Sequence, residues 1–213
     1  MSSPFHFDAA LIAGGRSTRF ASDKAFLAWR GQPLYVVQLR KLASLRPDRL
    51  WLSTNADQPF PEVLEGVERL IDDEPDFGPI GGLKAILHES EAPFVLVLAV
   101  DLPLMETAFL ESLLAAQRGI VARSDRFWEP LAAVYPREAM LALIKSALAS
   151  GQRKLQVILD EAQAQGLIAP LSLTDLTARN FANLNTPEDL VGLEQGPCDE
   201  AIQLRRFRSG QGF

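Results

Sequence analysis

The stretch Phe94–Val100 is an unbroken apolar run that stops at Asp101-Leu102-Pro103, and it constrains the fold more than any other part of the chain. Successive side chains of a strand point to opposite faces, so a run without polar alternation predicts a strand buried on both sides, as in a parallel sheet between two helix layers. A second apolar run, Ala9–Ala13, ends at Gly14-Gly15 and reads as a buried first strand feeding a loop that reaches Lys24. Further strands are expected at Leu50–Ser53, Val67–Ile71, Gly119–Ala122 and Ala132–Tyr135. Helical spacing of apolar residues predicts helices at Leu34–Leu45, Gly81–His88, Thr107–Ala116, Arg137–Ala149 and Lys154–Gln165. A last helix is expected over Pro187–Leu193, with Thr186 as its N-cap and Pro187 at its first position. Strand and helix alternate, which predicts a three-layer α/β fold with a mostly parallel sheet.

Composition narrows the function. With 213 residues, 47% hydrophobic and 23% charged, the chain suits one core, expected over residues 1–195, followed by a loosely held polar and basic tail from Gly196 to Phe213. Acidic residues outnumber basic ones by 27 to 21, and the formal charge of -6 argues against a non-specific grip on nucleic acid. Any phosphate must then be met by a local cluster of cations and backbone N–H groups. Cys198 is the only cysteine and His6 and His88 the only histidines, so neither a disulfide framework nor a zinc spacing is available. No positive region precedes the first apolar run and none approaches a membrane span, so no membrane association and a cytoplasmic location are expected.

The segment LIAGGRSTRFASDKAFL, Leu11 to Leu27, sets Gly14, Gly15, Arg16, Arg19 and Lys24 directly after the first strand. In an open α/β sheet this is the carboxyl edge, where ligands bind, and glycine-rich backbone there can cradle an anion. It fits neither GxGxxG nor the P-loop pattern, because no glycine immediately precedes Lys24 and Ala25 follows it. Asp101 follows the Phe94–Val100 strand: it suits one of the carboxylates by which magnesium is held alongside substrate phosphates, or a turn held against backbone N–H groups. Asp72 and Asp73 close another strand ahead of Gly78-Pro79-Ile80-Gly81-Gly82, whose glycines either admit a base or sugar or only shape a loop. Asn55, Asn183 and Asn185 are hydrogen-bonding candidates that serve equally well as turn or capping residues.

Taken in order, LIAGGRSTRF, DKAFL, GPIGGL, VDLP, EPLAAVYP and FANLNTPEDL resemble the molybdenum cofactor guanylyltransferases and their molybdopterin nucleotidyltransferase relatives, from Leu11 to about Leu190. The resemblance implies a Rossmann-like nucleotidyltransferase fold that transfers GMP from GTP to molybdopterin, or molybdenum cofactor, with release of pyrophosphate. Ile12, Ala13, Gly14, Gly15, Arg16 and Lys24 would hold GTP, Asn55 its nucleoside, and Asp72 or Asp73 the family's nucleotide-binding aspartate position. Gly78 and Gly82 would shape the base pocket. Asp101 would ligate Mg2+, with Lys24 and Arg19 as the catalytic cations. Asn183 and Asn185 match the family's N-x-N-T-P element near the acceptor, Arg126, Glu129, Pro130 and Leu131 its acceptor-side loop, and Gly151 to Lys154 a further basic loop. Proteins that deliver or receive the cofactor are expected partners. Phe20-Ala21 stands where the family usually has Met-Gly, and GPIGG replaces the commoner GPLAG. The alternatives are a cytidylyltransferase or sugar-phosphate nucleotidyltransferase of the same fold, or a nucleotide-binding module that has lost catalysis.

Overall fold

The structure, a computed structural model, describes residues 5–14, 24–58, 60, 64–72, 77–184, 189 and 192–193. Chain order begins with β1 (Phe7–Ile12), a 3-10 turn at Lys24–Phe26, and a small hairpin of β2 (Ala28–Trp29) and β3 (Gln32–Pro33). Then come α1 (Leu34–Ser44), β4 (Leu50–Thr54), β5 (Val67–Ile71), α2 (Pro79–Glu89), β6 (Phe94–Ala99) and α3 (Thr107–Ala115). The second half holds β7 (Ile120–Arg123), β8 (Trp128–Pro136), α4 (Arg137–Ala149), α5 (Leu155–Ala164), β9 (Ala169–Ser172) and α6 (Asp175–Ala178). Beyond residue 184 only Asp189, Gly192 and Leu193 are described, all helical, so the rest of the expected last helix and the expected tail lie outside the described residues. Among the described residues, no helix is long and apolar enough to cross a membrane.

The main sheet has seven strands in the order β5-β4-β1-β6-β8-β7-β9. Its pairs are parallel except β6 with β8 and β7 with β8, so β8 alone runs against the others. The expectation of a strand buried on both sides holds residue by residue. Ala9 and Leu11 of β1, Leu52 of β4, and Leu96 and Leu98 of β6 pack with Leu39 and Leu42 of α1 and Leu110 and Leu113 of α3. Ala10 and Ile12, Trp51, Val95 and Val97 face the other way, onto Leu83 and Leu87 of α2, Ile144 of α4, and Ile158 and Leu159 of α5. Alternate residues of one strand thus serve two cores, and the three layers follow.

The differences from expectation have local causes. Helix α2 starts at Pro79, two residues early, because Gly78 at its N-cap takes a φ of 60° and lets proline occupy the first turn. Strand β8 starts at Trp128, not Ala132: its register with β7 jumps from Val121↔Ala133 to Ala122↔Glu129, so Pro130 falls in a bulge where no ladder N–H is required. The Pro130 carbonyl accepts instead from the buried Tyr135 hydroxyl at 2.7 Å. Strand β9 went unanticipated because it is a half-exposed edge strand containing Pro170.

Gly119, at the entrance to β7, is a very tight backbone approach: a Cβ there would lie 2.3 Å from the Leu167 carbonyl oxygen and 2.7 Å from Pro136 Cδ. Its replacement has to separate β7 from the turn leading into β9. Gly119→Ala is therefore expected to lower unfolding stability by about 1–3 kcal/mol, read from the urea midpoint at unchanged m-value; a midpoint equal to that of the wild type would contradict this packing.

Candidate active site

The connections of the parallel strands place a crevice. From β1 the chain moves outward through α1 to β4 and then β5, and it returns through α2 to β6 on the opposite side of β1. The β1/β6 boundary is thus a topological switch point, and the loops leaving adjacent strands diverge at their carboxyl ends. Backbone bonds carry the ladder slightly beyond the strands. Ala13 N–H and Gly14 N–H donate to the Ser53 carbonyl at 2.9 and 3.1 Å, Val100 N–H to Ile12 O at 3.0 Å, and Asp72 N–H to Thr54 O at 2.8 Å. This brings Ile12, Ala13, Gly14, Asn55, Asp72 and Asp101 to one rim.

Close packing explains two of the glycines. A Cβ on Gly14 would stand 2.8 Å from Asn55 Oδ1, so the Asn55 amide lies directly against the β1 loop. A Cβ on Gly82 would meet Ser53 Oγ at 3.3 Å and Asp72 Oδ2 at 3.8 Å, which places the buried Asp72 carboxylate beside the first turns of α2. Gly78 differs. It is exposed, a Cβ on it would meet nothing within 4 Å among the described residues, and its positive φ starts the helix.

Lys24 opens the 3-10 turn after the glycine loop and places Nζ 3.6 Å from Asp101 Oδ2, with 18% and 29% of their side chains exposed. Burial raises the Asp101 carboxyl above the usual aspartate range, and the neighbouring Lys24 ammonium offsets part of that rise. An aspartate and a lysine at the mouth of a crevice, both still reachable by solvent, form a pair that a phosphate can enter. Leu184 N–H donates to the Asp101 carbonyl at 2.9 Å, which holds Asn183 on a segment anchored to Asp101, with its own side chain exposed.

Gln58, Arg69 and Gln156, which brace the rim, carry no signal in the sequence. Gln58, buried, accepts from Asn55 N–H at 2.8 Å and donates to the Ala13 carbonyl at 3.1 Å, tying the β1 and β4 loops together. Arg69 of β5 donates to Thr54 Oγ1 at 2.9 Å and to the Gln58 carbonyl at 2.7 Å, bracing the same turn from outside. At the rim beyond β6, Arg126 is exposed in the β7–β8 turn and Glu129, Pro130 and Leu131 are half-buried at the start of β8. Gln156 of α5 pairs both ways with the Trp128 backbone, at 2.8 and 3.0 Å, and fixes where that strand begins. Arg153, in the α4–α5 loop, lies over the Phe77 ring at 4.6 Å and so joins the basic loop to the entrance of α2. Gly15, Arg16, Arg19, Asp73 and Asn185 lie outside the described residues.

A glycine-bearing strand end facing a lysine–aspartate pair across a switch point defines a nucleotide-handling α/β enzyme. Residues 9–166 match the family model of the MobA-like NTP transferase domain. The chain is 36% identical over 190 residues to the molybdenum cofactor guanylyltransferase of Pseudomonas fluorescens (strain Pf0-1), covering 84% of this chain and 88% of that one. It is 32% identical over 201 residues to the probable molybdenum cofactor guanylyltransferase of Deinococcus radiodurans, covering 92% and 97%. Among solved structures, the molybdopterin-guanine dinucleotide biosynthesis protein A of Archaeoglobus fulgidus superposes with a TM-score of 0.67 at 22% identity, covering 86% and 95%. The 2-C-methyl-D-erythritol 4-phosphate cytidylyltransferase of Thermus thermophilus superposes at 0.63 and 17%, covering 85% and 94%. The protein is a nucleotidyltransferase. It belongs to the MobA-like family, within the branch of the molybdenum cofactor guanylyltransferases.

The raised Asp101 carboxyl sets a pH dependence. A carboxyl with a higher pKa folded than unfolded makes stability fall as pH rises between those two values, and above both its ionised form is a standing penalty. Asp101→Asn removes that penalty, so without nucleotide and with chelator the variant is expected to melt above the wild type at neutral pH. The gap should close as pH falls through the ordinary aspartate value. A lower melting temperature at neutral pH would mean that the attraction to Lys24 outweighs the cost of burial.

Proposed function

We propose that the protein transfers GMP from GTP to molybdopterin, forming the guanine dinucleotide form of the cofactor and pyrophosphate. The observation that carries this is the Lys24–Asp101 pair at the switch point, in a chain 36% identical to a molybdenum cofactor guanylyltransferase. In the reaction an ionised phosphate oxygen of the acceptor forms a bond to the α-phosphorus of GTP, and the bond from that phosphorus to the oxygen bridging to the β-phosphate breaks. Pyrophosphate leaves with the electron pair. The acceptor oxygen carries no proton near neutral pH, so no general base is needed and the work is positioning and charge neutralisation.

In this reading the Ala13 and Gly14 backbone and the Gly15–Arg16 loop receive the phosphates, Asn55 the nucleoside, and Asp72 or Asp73 the nucleotide. Lys24 and Arg19 neutralise charge on the transferred and leaving groups. The donor set suits magnesium: one hard carboxylate beside a crevice open to phosphate oxygens, on a loop whose Asp101 carbonyl accepts from Leu184 N–H. Asp101 would hold the ion, which supplies further neutralisation of phosphate charge when bound. Asn183 and Asn185 face the acceptor in this reading, as do Arg126 and the Glu129–Leu131 segment. Cytoplasmic synthesis suits a chain whose single cysteine builds no disulfide within it.

The test is incubation with each of the four triphosphates, magnesium and molybdopterin, followed by mass analysis of the product. GTP is expected to exceed CTP in kcat/KM by at least ~10-fold, about 1.4 kcal/mol. Asp101→Asn is expected to lower turnover on the order of a hundredfold while the protein stays folded. Equal use of CTP would move the chain to the cytidylyl branch, and nucleotide binding without pyrophosphate release would leave it a binding module.

A further inference from the structure

Helix α1 packs on the sheet through Leu34, Tyr35, Leu39 and Leu42, and among these apolar residues lies Gln38, which is fully buried. A leucine would continue the stripe; an enclosed amide has to be hydrogen-bonded. Gln38 Nε2 donates to the Leu102 carbonyl at 2.7 Å and, at a long 3.5 Å, to the Val100 carbonyl. Carbonyls accept only, so the amide nitrogen must be the atom that faces them. The other end, Oε1, has no hydrogen-bond partner among the described residues. A core side chain left half satisfied in this way is a poor stabiliser, yet its donors straddle Asp101.

The rest of this loop is held in the same manner. One turn along α1, Lys41 Nζ donates to the Pro103 carbonyl at 3.0 Å, with Arg30 and Glu106 as its charged neighbours. From the other side Leu184 N–H takes the Asp101 carbonyl at 2.9 Å. The carbonyls of Val100, Asp101, Leu102 and Pro103 are therefore each gripped by a group from another part of the chain, two of these groups belonging to α1.

We propose that Gln38 is a positioning residue for Asp101, gripping the backbone on either side of the aspartate, with Lys41 as a second anchor, and so fixing where the carboxylate meets Lys24 and a phosphate-bound cation. This rests on the role given to Asp101 above. Because the grip acts on the backbone and touches no nucleotide, its loss separates cation affinity from nucleotide affinity.

The experiment compares full-length wild type, Asp101→Asn, Gln38→Met, Lys41→Met and Lys41→Arg. Four quantities are read: GTP affinity in chelator, Mg2+ affinity of the GTP complex by calorimetry, turnover, and melting temperature. Gln38→Met is expected to keep GTP affinity within about threefold, to weaken Mg2+ by about tenfold or more, and to lower kcat roughly ten- to a hundredfold at saturating GTP. Lys41→Met should shift the same quantities less, and Lys41→Arg should restore them. If Asp101→Asn leaves Mg2+ affinity and turnover intact, the role of Asp101 falls and the positioning role with it. If Asp101→Asn abolishes both while folded Gln38→Met changes only the melting temperature, the positioning role alone is overturned. Should Gln38→Met not fold, Lys41→Met decides: unchanged Mg2+ affinity and turnover overturn the proposal.

Discussion

Burial of β1 and β6 on both faces is the constraint from which the rest follows. Alternate residues of each strand are committed to two different cores, one built on α1 and α3 and the other on α2, α4 and α5. The faces are therefore apolar along most of both strands, because an unpaired polar group in either core is costly, and the buried Asp8 of β1 accepts from Ser90 Oγ at 2.7 Å. The strand ends are the places where backbone N–H groups and short polar side chains meet water without breaking the sheet. The candidate site lies there in keeping with the burial pattern, and the lysine–aspartate pair stands where β1 and β6 end.

That position brings a difficulty. Loops at a sheet edge are the parts of a fold with the fewest apolar contacts, whereas transfer between phosphates needs charges held to fractions of an ångström. Here the loops are steadied by buried amides and cations in place of hydrophobic packing. Gln58 bridges the Ala13 carbonyl and Asn55 N–H, Arg69 braces the same turn, and Gln38 and Lys41 hold the loop that bears Asp101. Arg69, Gln38 and Lys41 use side chains of a strand or helix to satisfy backbone groups of a loop, and Gln58 ties one loop to another.

The parts legible in the sequence are those whose signal is local. Phe94–Val100 reads as a doubly buried strand because its pattern is contained in consecutive residues, and Asp101 reads as a site residue because it stands where that pattern stops. Strand β9 and the first half of β8 were illegible because Pro170 and Pro130 signal against strand, and only the edge position and the bulge tolerate them. Gln38 was illegible for a different reason. Its partner Leu102 is 64 residues away, and nothing near residue 38 distinguishes this glutamine from a solvated one on an amphipathic helix. Residues that touch a ligand cluster at strand ends, but those that hold them are scattered wherever the fold supplies a neighbour.

The reversed direction of β8 has a consequence for how this architecture can change. Since β8 runs down while β7 and β6 run up, the β7–β8 turn and Trp128 stand on the same rim as the ends of β1, β4 and β6. A crossover helix would have buried that connection; a hairpin leaves its tip at the rim, tethered at its base by Gln156 on the Trp128 backbone and by Tyr135 on Pro130. The tip can lengthen, shorten or change composition without altering the register of β6, and hence without moving the aspartate at its end. One half of the rim is thereby free to diversify while the other stays fixed.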